Sequence, residues 1–369
     1  MERDLRIFEV AHDFVPELAF EPGTEPGTTD VTVRSEPMKR YDLTASLTNF
    51  GTKSTGELQA SLFGRVNSLT GVRDTLSFQL QASEGAASGQ VGYSRPMGRP
   101  GGRLVLSAAY SQSDVISGAF STLDIVSDSQ SAGIAYRWPG YVRPNSHWMF
   151  ETGFTYDENQ STLGGLPLAD VTLTELQARA ERVWRGDRQA LQLSFGLRVG
   201  TAETNQVSQT EGDYWLLEAG LGWNRLIGES ALLSVQARAQ LAENQNLPVD
   251  RLFTVGGPTS VRGYPNNVRA GDSGLEMKIQ LDRAQPWNWG RRVSVTPFGF
   301  VDAAVVKPFR QGGGFDADQD LLASVGGGVR VGLGKKVAAL IFVGVPLVDT
   351  LGFDASGEYR VHAGLDWTF

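Results

Sequence analysis

Polar and apolar residues alternate one by one along this chain, in segment after segment, and few folds can accept that regularity. Leu191, Leu193, Phe195, Leu197 and Val199 fall on one face of their segment, while Gln192, Ser194, Gly196 and Arg198 fall on the other. The same division separates Leu76, Phe78, Leu80 and Ala82 from Ser77, Gln79, Gln81 and Ser83. It returns in Leu233, Val235, Ala237, Ala239 and Leu241 against Ser234, Gln236, Arg238 and Gln240. Successive side chains of a β-strand point to opposite faces, so a period of two marks strands with one apolar face each. About sixteen such segments fit between residue 40 and the C-terminus, an even number of the kind a single-chain barrel needs.

Two folds bury such faces, a soluble β-sandwich and a membrane barrel, and three features favour the barrel. The segments run for about ten residues, the length a tilted strand needs to cross a bilayer. Aromatic residues sit at the ends of apolar rows, as in Trp215, Leu217, Ala219, Leu221 and Trp223, which suits girdles at both interfaces. The chain also ends on a full alternating strand, with Tyr359, Val361, Ala363, Leu365, Trp367 and Phe369 opposed to Arg360, His362, Gly364, Asp366 and Thr368. A C-terminal Phe369 closing such a strand resembles the signal read by the outer-membrane assembly machinery. No run reaches the ~20 consecutive apolar residues of a transmembrane helix. The mean hydropathy of −0.20 fits a barrel, because only alternate residues face lipid. The expected fold is all-β, a closed antiparallel transmembrane barrel over residues 40–369, set in the lipid of a Gram-negative outer membrane.

Residues 1–39 lie outside the pattern. Residues 4–13 suit a short helix through Leu5, Phe8 and Ala11, or a strand through Ile7, Phe8 and Val10. Two short strands follow, around residues 16–20 and 30–34, separated by Pro22-Gly23 and Pro26-Gly27, which mark turns. The piece is too small to bury a core alone and reads as the end of a larger periplasmic domain. Met1-Glu2-Arg3-Asp4 does not open a secretory signal. The sequence is therefore expected to be a fragment, or to start downstream of its true beginning.

Little in the chain supports covalent chemistry. The three histidines, His12, His147 and His362, are far apart, and no zinc-protease pattern joins them. Glycine-rich residues 326–336 resemble a phosphate loop only superficially, since Val329 and Lys336 stand where glycine and a hydroxyl residue are needed. A glycine-softened strand turning into a hairpin is the better reading. Asp316, Asp318 and Asp320 open like a calcium loop, but Leu321 and Gly327 replace its glycine and its bidentate glutamate. The net charge of −8 gives no basic footprint for nucleic acid, and the absence of cysteine removes disulfides and thiolate metal sites. No catalytic residue, cofactor or metal is expected.

Several motifs carry a family resemblance over nearly the whole chain. The run from Pro22-Gly23 through Pro26-Gly27-Thr28-Thr29-Asp30-Val31-Thr32-Val33 to Arg40-Tyr41 and Leu47-Thr48-Asn49-Phe50-Gly51 resembles the junction between the second POTRA domain and the barrel in two-partner secretion transporters. These are the haemolysin secretion/activation (FhaC/ShlB) family, within the superfamily that also holds the BamA-like insertases. Residues 67–76, with Asn67, Leu69, Gly71 and Asp74, are similar to that family's first hairpins. Val255-Gly256-Gly257-Pro258-Thr259-Ser260-Val261-Arg262-Gly263-Tyr264 resembles the tip of its sixth extracellular loop, which folds back into the lumen. Phe298-Gly299-Phe300-Val301-Asp302-Ala303-Ala304 resembles the strand whose aspartate meets the loop arginine, with Ala304 in place of the final glycine. The family often carries a glutamate where Gln280 stands, and Glu276 and Asp282 on the same face are candidates to supply that charge.

The resemblance implies a pore loop over residues 246–274, with Val261, Arg262, Gly263 and Tyr264 at its tip and Asp302 as the partner of Arg262. An arginine inside a barrel needs a carboxylate, because an unpaired charge out of bulk water costs several kcal/mol. Gly263 frees the backbone at a tight tip, and Tyr264 packs its ring while its hydroxyl finds a partner. The competing reading leaves Arg262 in a solvated surface loop. Residues 1–39 would be the end of a POTRA domain with its linker. The implied function is export of a large secreted partner protein, without nucleotide hydrolysis. The rivals are a BamA-like assembly factor, a passive porin and a soluble sandwich.

Overall fold

A computed structural model of the chain describes residues 2–12, 17–22, 28–34, 39–118, 121–205, 211–242, 246–290, 292–308, 320–355 and 357–369. The first element is a helix, α1 (Glu2–His12), so the ambiguous N-terminal segment resolves in favour of helical spacing. A hairpin of β1 (Glu17–Pro22) and β2 (Thr29–Arg34) follows, with Ala19 opposite Thr32. Everything after it belongs to one barrel or to the loops that join it.

The first half of the wall is β3 (Tyr41–Thr48), β4 (Gln59–Asn67), β5 (Thr75–Ala82), β6 (Ala86–Pro96), β7 (Arg103–Asp114), β8 (Ile125–Arg143), β9 (Ser146–Leu163) and β10 (Leu166–Arg185). The second half is β11 (Gln189–Thr204), β12 (Gly212–Ile227), β13 (Ala231–Leu241), β16 (Ser273–Arg283), β18 (Val293–Lys307), β19 (Leu321–Leu333), β20 (Val337–Pro346) and β21 (Arg360–Thr368). A short β17 (Trp287–Trp289) continues the line of β16 along β18. Two further short strands, β14 (Phe253–Val255) and β15 (Arg269–Gly271), pair with each other inside a loop. Every neighbour is antiparallel, and β21 closes on β3 with Leu365 opposite Leu47, giving a sixteen-strand barrel. Closure pairs each backbone edge, which lets strands cross a bilayer.

The alternation sorts cleanly onto the two sides of the wall. Phe195, Leu197 and Val199 of β11 are exposed on the outside, as are Leu217 of β12 and Leu275, Met277 and Leu281 of β16. Large apolar side chains facing outward in rows fit lipid and not water. The opposite rows carry Ser, Gln, Arg and Glu into the lumen. Most connections at the end that meets helix α1 are short, while the longest ones, among them residues 242–272, lie at the other, so the α1 end is periplasmic and the other extracellular.

Two expectations about the wall need correction. Strands β8 to β12 are 16 to 20 residues long, well beyond the ten that cross a bilayer. Their outer halves, such as Ser127, Asp128, Ser129 and Gln130 in β8, are polar on both faces, so they resemble loop in sequence while hydrogen bonding carries the sheet onward. The tryptophans also do not form two equal girdles. Of the eight, Trp215 lies at the extracellular end of its strand and the others gather toward the periplasmic end.

The glycine-rich stretch is the wall strand β19 and its turn. A Cβ on Gly326 would fall 2.3 Å from the Phe300 ring, and one on Gly328 would fall 2.5 Å from the Phe342 Cβ. The missing side chains leave room for phenylalanines of neighbouring strands. Helix α1 lies against periplasmic turns: the Arg73 guanidinium sits 4.6 Å from the centre of the Phe8 ring, and Ile7 adjoins Gly101.

Replacing Phe195 with arginine, midway along the outer row of β11, should destabilise the refolded barrel by about 2–4 kcal/mol, and Ser194→Arg on the lumen row by much less. Urea unfolding of both variants in lipid measures the difference. Equal penalties would mean that the outer row does not face lipid, and a larger penalty for Ser194→Arg would mean that the two faces are assigned the wrong way round.

Candidate functional site

The chain between β13 and β16 turns inward, because it carries apolar residues that a solvated loop would not bury. Phe253, Val255, Val261 and Tyr264 pack on Ala304 and Val306 of β18 and on Leu322 of β19. Ala304, where the family's glycine was expected, is buried in this cluster. Ser273 and Gly274, included in the expected loop range, belong to the wall strand β16. The loop ends are tied together where Asp272 accepts the backbone N–H groups of Asn246 and Leu247 at 3.0 and 2.9 Å. Burial pushes the Asp272 carboxyl above the usual carboxylate range, against the pull of those two N–H donors.

At the tip, Gly263 takes a positive φ of 105°, a conformation that suits glycine. Its backbone lies directly on the wall at Gly344 of β20. A Cβ on Gly344 would sit 2.6 Å from the Gly263 nitrogen, and one on Gly263 would sit 2.9 Å from the Gly344 carbonyl carbon. Backbone meets backbone here, and neither position has room for a side chain.

Arg262 points into the wall and is buried with Asp302. Its Nε donates to Asp302 Oδ2 at 2.7 Å and its Nη2 to Oδ1 at 2.8 Å, a two-pronged pair. The Arg262 backbone N–H reaches the same Oδ2 at 3.1 Å. Nη1 donates to Gln280 Oε1 at 2.7 Å, and the Phe300 ring centre lies 3.5 Å from the guanidinium carbon, a cation–π contact. The arginine is not in a solvated surface loop.

Of the three further candidates, Gln280 is a direct partner and the two carboxylates are not. Glu276 accepts from Arg238 Nη2 at 2.7 Å and from Ser260 Oγ at 2.5 Å. Asp282 accepts from Arg330 and, at 3.0 Å, from Gln280 Nε2. Same-face residues on a strand stand about 6.6 Å apart, so with Arg262 held on Asp302 and Gln280, Asp282 lies one such step beyond Gln280 and Glu276 two steps to its other side, past Lys278. The Tyr264 hydroxyl lies 2.9 Å from the Ala323 carbonyl and 2.6 Å from that of Val348. Asn266 Nδ2 donates to the Phe50 carbonyl at 2.7 Å, reaching across the chain to the first barrel loop.

A second cluster has no counterpart among the sequence motifs. Arg251, in the short 3₁₀ turn Val249–Arg251, donates through Nε and Nη2 to Glu175 of β10, both at 2.8 Å, and also pairs with Asp157 of β9. The Tyr214 hydroxyl donates to Glu175 at 2.8 Å, and Arg198 Nη1 approaches the same carboxylate at 3.5 Å. Beside it Leu247 joins Leu173, Tyr214 and Leu216 in a buried apolar cluster. The only signal in the sequence is Glu175 heading a polar row in its strand, and nothing there points to a residue 76 positions away.

The loop leaves a polar lumen cavity of about 540 Å³, lined by Gln192, Ser194, Gln236, Arg238, Thr254 and Lys278 among others. Among the described residues no group of His, Asp or Glu is arranged to hold a metal. Asp316 and Asp318 lie outside the described residues, and Asp320 binds Arg269 Nη2 at 2.6 Å. His147 is at a periplasmic turn, while His362 lies between Phe50 and Phe342 in the lumen. Phe369 is exposed, its backbone N–H bonded to the Leu43 carbonyl at 3.0 Å.

A closed sixteen-strand barrel with apolar rows outside and a polar lumen crossed by an inward-folded loop is an outer-membrane barrel. The chain belongs to the haemolysin secretion/activation protein ShlB/FhaC/HecB family, whose model matches residues 27–331. Among solved structures it resembles CdiB from Escherichia coli, at 16% identity and a TM-score of 0.84, over 100% of this chain and 69% of that one. It also resembles CdiB from Acinetobacter baumannii, at 16% identity and a TM-score of 0.79, over 96% of this chain and 66% of that one. BamA from Haemophilus ducreyi lacking POTRA domains 1–3 matches at 12% identity and a TM-score of 0.64, over 98% of this chain and 77% of that one. At such identities the likeness is one of fold. No curated protein sequence matches the chain.

Removing either Arg262 or Asp302 strands the other charge and should weaken loop docking by about 3–5 kcal/mol. Arg262→Ala and Asp302→Ala should each raise single-channel conductance in planar bilayers, and the double variant should be little worse than either alone. Strictly additive conductance changes would show that the two residues act separately. Gly344→Val tests the backbone contact without touching charge, and it too should raise conductance while heat-modifiable gel mobility shows the barrel still folded.

Proposed function

We propose that this barrel exports one large secreted partner protein across the outer membrane, in unfolded form and without nucleotide hydrolysis, and that the inward-folded loop closes its lumen at rest. The observation that carries the reading is the fastening of the loop tip to the wall through the buried Arg262–Asp302 pair. A fastened loop that fills the lumen suits an exporter, which needs a closed state that can be released. Membership of a secretion/activation family supports export over assembly of other barrels.

In this reading Val261, Arg262, Gly263 and Tyr264 set the loop position, Asp302 and Gln280 hold it, and the polar lumen rows line the path. Residues 1–39 are the end of a POTRA domain and its linker, residues 40–369 the barrel. Recognition of the partner then rests largely on periplasmic POTRA elements and not on the barrel. Phe369 ends the strand read by the assembly machinery.

Proteoliposomes holding the protein with its complete periplasmic region, and apyrase to remove nucleotide, provide the test. Unfolded secretory repeat proteins from the same genome should be tried one by one, and one of them should become protease-protected inside the vesicles. Uptake that requires added ATP, or complementation of a strain depleted of its barrel-assembly factor, would overturn the proposal.

A further inference from the structure

The periplasmic rim carries a set of arginines that the lumen does not use. Arg182 of β10 stands in the lipid-facing row, directly opposite Trp148 of β9, and its guanidinium lies 5.5 Å from that ring centre. Trp148 stacks on Phe150 at 6.1 Å, Phe150 meets Trp138 at 5.9 Å, and Trp138 stacks on Tyr136 at 5.6 Å. At the far end of this ladder Arg99 lies 5.9 Å from the Trp138 ring centre. Farther around the rim Arg40 sits on Tyr41 and Arg283 on Trp287, at 5.5 and 5.1 Å. These four cations share one end of the barrel, each on an aromatic face; Arg143, 4.8 Å from the Tyr141 ring centre, stands at the same end but donates to that tyrosine's own hydroxyl.

None of these four has an ion pair with a carboxylate among the described residues, unlike Arg238, Arg251, Arg262 and Arg330 in the lumen, and Arg283 Nε is buried without a hydrogen-bond partner. A guanidinium lying on a ring keeps its N–H edge free, and that edge fits two oxygens of a phosphate. The wider charge distribution agrees. The turns of this end carry Arg73, Arg99, Arg188, Arg292, Lys335 and Lys336 against Asp74, Asp187 and Glu229, while the extracellular loops other than the inward-folded one carry Glu57, Glu84, Asp124, Asp349, Asp354 and Glu358 against Lys53. Aromatic rings at the headgroup level with cations beside them form a surface for an anionic lipid.

We infer that Arg40, Arg99, Arg182 and Arg283, with the rings beneath them, bind the phosphate groups of anionic phospholipids in the periplasmic leaflet of the outer membrane. The inference rests on the membrane location and is independent of export. A zwitterionic phospholipid offers the same phosphate but brings its own cation to a basic rim, so net negative headgroups are selected.

The tryptophans are a built-in reporter, since Trp215 is the one placed at the other end. The purified chain, refolded in vesicles of phosphatidylcholine, is titrated with brominated phosphatidylglycerol and separately with brominated phosphatidylcholine, and quenching gives their relative binding constant. The anionic lipid should be preferred about five-fold, as expected for ~1 kcal/mol from each nearby basic residue shared over several sites. Raising the salt should shrink that preference by screening. In the heat-modifiable, folded variant carrying Arg40→Gln, Arg99→Gln, Arg182→Gln and Arg283→Gln the ratio should fall to near one. A ratio near one in the parent protein, a preference indifferent to salt, or an unchanged preference in the folded variant overturns the inference. Because no secretory partner is present, the outcome is separate from that of the export assay.

Discussion

The guanidinium of Arg262 is withdrawn from bulk water, and much of the barrel interior follows from how that charge is met. Left alone it would cost several kcal/mol. Asp302, fully buried in β18, supplies the opposite charge through two parallel hydrogen bonds. The same carboxylate oxygen takes the Arg262 backbone N–H, so one residue of the wall fixes both the side chain and the turn that carries it. With that turn fixed, Gly263 is pressed on Gly344, and only a pair of glycines permits the approach. Tyr264 is then delivered to the carbonyls of Ala323 and Val348.

The amide at Gln280 solves a local problem of charge. It stands between Arg262, which donates, and Asp282, which accepts. A carboxamide has an oxygen for the first and an N–H group for the second, whereas an ionised glutamate has only acceptors. A glutamate here would face Asp282 without a proton to share. Gln280 therefore links the Arg262–Asp302 pair to the Asp282–Arg330 pair in one row. The departure from the family's glutamate is matched by its surroundings.

Much of the barrel is legible in the sequence because lipid imposes a strict rule on alternate residues. Leu191 through Val199 sort into two faces on alternation alone, and the even number of segments agrees with a closed barrel. Strand length is not legible in β8 to β12, where both faces meet water and the outer halves of the strands lose their pattern. The pairing of Arg262 with Asp302 rests on two recognisable motifs, one in a loop and one in a strand. Glu276 and Asp282 look equally available because sequence gives a face but not which residue of that face is reached. Arg251 and Glu175 carry no motif at all. Their contact depends on the loop crossing the lumen, and only the folded chain contains that information.

That crossing makes the loop a strut between two walls, and its ends are not held alike. Near its start Arg251 grips Glu175 and Asp157, on β10 and β9. At its tip Arg262 grips Asp302 on β18. If the first grip opens, Glu175 keeps the hydroxyl of Tyr214 and the nearby guanidinium of Arg198, so its charge is not stranded. If the second opens, Asp302 has no other hydrogen-bond donor from an arginine among the described residues. Its carboxylate would remain buried with only the Lys278 ammonium, across the strand pair and already bonded to the Thr259 carbonyl, to balance it. Breaking a pair is most expensive where the remaining charge keeps the fewest partners. The wall of β9 and β10 is thus the weaker hold and the wall of β18 the stronger, a difference set by spare partners and not by the number of bonds each arginine makes.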